Sequence, residues 1–214
     1  MPVHIGIVGG SAESAALGYR TICSDGSRLL GPDGHPEISM HTPSFAGYIA
    51  CLARDDRSGV GELMLGSDRK PASIGADFLI RPAMTLHVAL PCVLPRSLLP
   101  WLHIAEVVAA DAAARGFRRV GITGTHEPVE SDVHPNVLES AGLEWVRSTP
   151  DARDQLHRMV MNQLVRGVFK PASTQTILRV MGIEPTLVHQ EHHRQPDRSP
   201  TPGRLAPCTK VRFS

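Results

Sequence analysis

Short apolar runs alternate with longer amphipathic stretches along most of this chain. His4 to Val8 reads as a buried strand, and it ends in Gly9-Gly10-Ser11. Ala12 to Cys23 is alanine-rich and helix-compatible. Asp25 to Pro36 is rich in Gly and Pro and reads as a loop. Glu37 to His41 alternates well enough for a second strand, with a loop over Thr42 to Tyr48 at its end. Val60 to Ile74 has the pattern of an amphipathic helix, with Gly75 as its stop. Phe78-Leu79-Ile80 is a third short apolar run. It breaks at Pro82 and passes through a small-polar turn ending in Thr85 and His87. A buried strand opening into a polar loop is where an open α/β sheet places its chemistry.

The prolines at 91, 95 and 100 punctuate the next segment as a hinge between lobes would. Beyond them the sequence predicts a helix over Ile104 to Arg115 and a strand over Arg119 to Ile122, followed by Thr123-Gly124-Thr125. Further helices are expected over Val133 to Ala141, Arg153 to Arg166 and Ser173 to Met181, with a strand over Leu143 to Val146. IGIVGGS at Ile5 and VGITGTH at Val120 share their glycine spacing: Gly6 aligns with Gly121 and Gly9 with Gly124. Each half thus opens on the same strand-and-turn unit. After residue 182 the pattern fails. Prolines at 185, 196, 200, 202 and 207, mixed with His and Arg, have the composition of a solvated tail. The expected organisation is a first α/β lobe over 1–100, an incomplete second lobe over 101–182, and an irregular tail over 183–214.

Composition narrows the function classes. The net charge is +1, which gives no electrostatic footprint for nucleic acid or an anionic membrane. Aromatics make up 4% of the chain, too few for base-stacking platforms. No apolar run is long enough to cross a bilayer. The start, MPVHIGIVGG, lacks a basic n-region and does not read as a signal peptide. Cys23, Cys51, Cys92 and Cys208 are widely spaced and form no CxxC, which suits a reducing cytoplasm better than a disulfide framework or a zinc site. The tail histidines His189, His192 and His193 lie in a Pro-rich stretch that offers no fixed geometry for a metal.

A strand, a glycine turn and a helix start make an anion-binding corner, because the first N–H groups of a helix have no acceptor of their own. GGSAES is neither GxGxxG nor a Walker loop, so the alternative is a plain βα turn.

Several motifs stand together in order: IGIVGGS, HPEISMHTPSF, GADFLIRPAMTLH, LPWLHIAEVV, GFRRVGITGT and the helix ending in LVRGVF. Over residues 3–180 they resemble the aspartate/glutamate racemase family. The resemblance implies two pseudo-symmetric α/β lobes, with mostly parallel sheets flanked by helices and the active site in the cleft between lobes. It also implies cofactor-independent racemisation of an acidic amino acid, usually in a dimer. Inverting an α-carbon needs a base on one face and an acid on the other, and two similar lobes supply one each.

The family's first loop runs Pro, Cys or Thr, Asn, Thr, one residue, His. Here it reads Pro82-Ala83-Met84-Thr85-Leu86-His87, so the acid/base position falls on Ala83 and the usual Asn on Met84. Arg81 places a permanent charge at the end of the strand. Thr85 is expected either to hold a carboxylate or to cap the next helix. His87 is either a proton carrier or a core hydrogen-bonding group. Gly10 and Ser11, and Thr125 from the second lobe, are expected to line the substrate site. Pro128 stands where the family has a substrate-binding Thr. Arg166 is expected either to meet a distal carboxylate or to be solvated at a helix end. The family's second cysteine sits in a GCTE-type motif, and Cys208 in APCTK is its nearest echo. The resulting expectation is a racemase-family protein with weak or lost activity, or else a carboxylate-binding relative or a degraded chain.

Overall fold

The computed structural model describes residues 3–180 and 206–207. The chain divides after Ile104 into two compact units. In the first, β1 (His4–Val8) is the middle strand. It pairs in parallel with β2 (Glu37–His41), Gly6 opposite Ser39, and with β3 (Phe78–Ile80), Gly6 opposite Leu79. Parallel neighbours cannot be joined by a tight hairpin. The crossovers are α1 (Ala12–Leu30) between β1 and β2, then α2 (Phe45–Leu52) and α3 (Arg57–Ser73) between β2 and β3. After β3 come a 3₁₀ helix (Met84–Ala89), α4 (Leu90–Val93) and a second 3₁₀ turn (Leu94–Arg96).

α3 follows the Asp56 N-cap, whose carboxylate accepts from the Gly59 N–H at 2.7 Å. It turns Val60, Met64 and Leu65 inward, where they pack with Val8, Tyr48, Leu79, Leu86, Leu90 and Trp101 in one apolar cluster. The last of the prolines at 91, 95 and 100 lies against the first sheet. The Leu79 N–H donates to the Pro100 carbonyl at 2.8 Å and the Leu102 N–H to the Leu79 carbonyl at 2.9 Å, so residues 100–102 line the outer edge of β3. Two helices also run where loops are expected. α1 continues through Gly26 to Leu30, because Gly26 is buried tightly against His35: a Cβ there would stand 2.9 Å from the His35 Cα. α2 forms because FAGYIACL offers Tyr48 and Cys51 to the core.

The second unit repeats the order of the first. β4 (Arg119–Ile122) lies between β5 (Glu144–Arg147) and β6 (Ala206–Pro207), all parallel. Its helices are α5 (Ile104–Ala114), α6 (His126–Glu130), α7 (Val133–Ser140), α8 (Pro150–Asn162) and α9 (Pro171–Val180). Gly116 and Gly142 follow α5 and α7 at φ +75° and +72°, the left-handed region that stops a helix. Ala109, Ala112, Val120, Ile122, Leu138 and Leu143 form its apolar core. β6 is a strand the hydropathy pattern does not reveal: it is two residues long, and Pro207 has no N–H to give the ladder. Among the described residues no helix is long and apolar enough to cross a membrane.

Asp68 on α3 is buried, and burial raises its carboxyl pKa, with Ser97 and Arg69 pulling partly the other way. The folded state therefore holds this proton more tightly than the unfolded chain. That stabilisation is complete below the unfolded value of about 3.9 and is lost as pH rises through the folded value. Asp68→Asn is expected to flatten the fall in melting temperature from pH 4 to pH 7. Parallel melts of both proteins across that range check it, and identical slopes would refute it.

Candidate functional site

The carboxyl ends of β1 and β3 bring two turns together, the position where open parallel sheets bind ligands. β1 passes through Gly9-Gly10 to Ser11, the N-cap of α1. The Ser11 backbone is extended and its Oγ accepts from the Ser14 N–H at 3.3 Å. The Gly9 N–H donates to the His41 carbonyl at 2.9 Å and ties the corner to β2. β3 passes through Arg81-Pro82 to Ala83 and then into the 3₁₀ helix.

Arg81 turns into the interior. Its Nη1 donates to the Val8 carbonyl at 3.1 Å, and its guanidinium lies over the Tyr48 ring, 4.7 Å from the centroid. Burial lowers the Arg81 pKa, and burial raises that of the Tyr48 phenol while the Arg81 charge pulls it down. The two groups are close enough to act on each other electrostatically, but no hydrogen bond of sound geometry joins them. A buried cation over an aromatic ring gains about 2 kcal/mol, which offsets only part of the desolvation of an unpaired charge.

Ala83 is half-buried with an extended backbone, φ −148° and ψ 118°. It occupies the cap of the 3₁₀ helix with a methyl group, which has no proton to transfer. Met84 is buried and offers at most a weak sulfur acceptor where an Asn amide would donate. Thr85 follows, half-buried. His87 is buried. Its Nε2 donates to the Arg81 carbonyl at 3.1 Å, and its ring meets His103 edge-on at 5.3 Å. That bond closes the loop between Arg81 and His87, so His87 braces it. Gly10, Ser11 and Ala83 to His87 thus gather at one end of the first sheet.

Thr125 and Arg166 belong to the second unit. Thr125 is buried at the start of α6, with Pro128 buried one turn on. Arg166 ends a 3₁₀ turn after α8, and its side chain is exposed. His126 follows Thr125. Its Nε2 lies 2.8 Å from an Asp154 carboxylate oxygen, and its ring stacks on His157 at 4.1 Å. Burial lowers the His157 pKa, and the neighbouring His126 charge lowers it further. Among the described residues no cluster of three potential metal ligands occurs. Cys208 lies outside the described residues.

The family model for Asp/Glu/hydantoin racemases matches residues 7–183, from within β1 to just past α9. The chain belongs to this racemase family. Solved structures agree in fold. A proposed Asp/Glu racemase from Yersinia pestis superposes with a TM-score of 0.72 at 23% identity, over 88% of this chain and 81% of its own. An aspartate racemase homologue from Pyrococcus horikoshii OT3 gives 0.66 at 24%, over 84% and 78%. The Picrophilus torridus aspartate racemase gives 0.66 at 16%, over 84% and 75%. The racemase fold is therefore present, with parallel sheets flanked by helices. The sequence assigns Tyr48 no role, because its segment reads as a loop. Arg81 stood out only as a charge, since nothing in the sequence indicates which acids lie near it.

Proposed function

We propose that this chain binds a small acidic amino acid, of the aspartate or glutamate kind, with a carboxylate at the Gly10–Ser11 corner, and that it racemises this ligand weakly or not at all. Ala83 carries this reading. Its backbone holds the place of the first acid/base group at the end of β3, yet its side chain is a methyl. The free N–H groups at the start of α1 support the binding half of the reading. Thr85 is the second donor assigned to the ligand. Cys208, the nearest echo of the family's GCTE-type motif, is the candidate for the second proton carrier. The reaction is of the isomerase type and uses no cofactor, and the protein works as a cytoplasmic homodimer.

Incubation with α-deuterated L- and D-aspartate or glutamate tests the reading. Slow or absent loss of label, together with a rise in melting temperature at millimolar dicarboxylate, is the expected result. Turnover near the usual enzyme range of about 10 s⁻¹ would overturn the loss of activity. The absence of both exchange and a thermal shift would overturn the whole reading.

A further inference from the structure

Only 2% of Arg81 is exposed. Of its three nitrogens, Nη1 is used on the Val8 carbonyl. Among the described residues Nε and Nη2 have no hydrogen-bond partner, and the neighbour that acts on the guanidinium electrostatically is the Tyr48 phenol. These two nitrogens share one edge of the planar group, with their N–H bonds pointing the same way. That edge matches both oxygens of a carboxylate. Nη2 stands 2.9 Å from the point where a Cβ on Gly10 would be, so the free edge lies at the turn into α1, a helix of 19 residues. The Tyr48 hydroxyl is a further buried polar group without a partner. Buried polar groups are nearly always satisfied. Here unused donors and the positive end of a helix gather at one corner, which favours an anionic ligand rich in acceptors.

We propose that Arg81 is the carboxylate anchor of this site, gripping both oxygens through Nε and Nη2 against the N-terminus of α1, with the Tyr48 hydroxyl as an additional donor. The proposal rests on the acidic-ligand reading above and names the residue that recognises the charge. A purely structural Arg81 would need only the Val8 carbonyl and the Tyr48 ring, and would leave its two-donor edge idle. Leu86 Cδ1 lies 3.2 Å from the same Gly10 point, so a ligand at this edge requires Leu86 to give way. Gly10 leaves room for this arrangement, because any Cβ there would meet Nη2.

The test is calorimetric titration of the full chain with succinate, which carries the carboxylates but no stereocentre to invert. Arg81→Met is expected to weaken succinate binding by about 100-fold, the loss of a two-point charge-assisted hydrogen bond. Arg81→Lys keeps the charge without the paired donors and is expected to fall between. In the unaltered protein, labelled with ¹⁵N-arginine, the Arg81 Nε–H signal is expected to move as succinate is added. That measurement decides the matter even if Arg81→Met does not fold. Equal affinities in the three proteins, or an Nε–H signal that stays in place while succinate binds, would overturn the anchor and leave the acidic-ligand reading standing. Failure of the unaltered chain to bind succinate, aspartate or glutamate at millimolar concentration would overturn both.

Discussion

Ala83→Cys is expected to raise α-proton exchange on aspartate by about 10²–10⁴-fold, the usual contribution of one positioned acid/base group, while inversion stays near its unaltered rate. The two readouts separate because they need different numbers of groups. Exchange needs one base that removes the proton, loses it to water and returns another to the same face. Inversion needs a second group on the opposite face. Ala83 is half-buried and extended, so a cysteine fits its backbone without strain. Its thiol would stand at the end of β3, within one turn of Thr85. Adding Met84→Asn supplies the missing amide donor and is expected to increase exchange further. Mass spectrometry of recovered aspartate reads exchange, and chiral chromatography reads inversion. No gain in exchange would show that Ala83 does not face the α-carbon. A parallel gain in inversion would show that a second proton carrier is present, with Cys208 the first to replace.

Gly9→Val is expected to cost about 3 kcal/mol, the upper end of ordinary overpacking, and to lower the melting temperature by about 10 °C. A Cβ on Gly9 would stand 2.2 Å from the Thr42 Cγ2 and 3.0 Å from the Ala15 Cβ. Neither neighbour can retreat easily. Ala15 is buried in the first turn of α1, and Thr42 directly follows His41, whose carbonyl accepts the Gly9 N–H. The added methyls would push apart β1, β2 and the start of α1 together. Gly9→Ala should show a smaller loss in the same direction. A thermal melt checks both, and an unchanged melting temperature for the valine variant would mean that the corner yields without cost.

Much of the architecture is legible in the chain because its signals are local. The runs at His4 to Val8 and Arg119 to Ile122 are apolar enough to be strands wherever they occur, and Gly116 and Gly142 stop helices by backbone preference. The loop from Pro82 to His87 is legible as a candidate site because a short buried strand opens into it. What escaped the sequence depends on contacts made at a distance. Gly26 continues a helix because His35 packs on it. Tyr48 is in a helix because a core exists to receive it. Pro100 to Leu102 looks like punctuation but lies along β3 through bonds to Leu79. Arg81 is the clearest case: its charge is visible in the sequence, whereas its unused Nε and Nη2 become visible only once the first unit has folded around it.

The parallel order of the first sheet has a consequence for synthesis. β1 leaves the ribosome early but finds its second partner only when β3 is made, and β3 gains its outer neighbour only at Leu102. At ordinary elongation rates this interval lasts roughly 5–20 s. During that time Ile7 and Val8, destined for complete burial, belong to a nascent chain that cannot yet cover them, and β1 offers a free edge to any neighbouring strand. The stretch of translation between His4 and Leu102 is where chaperone capture would protect this protein most.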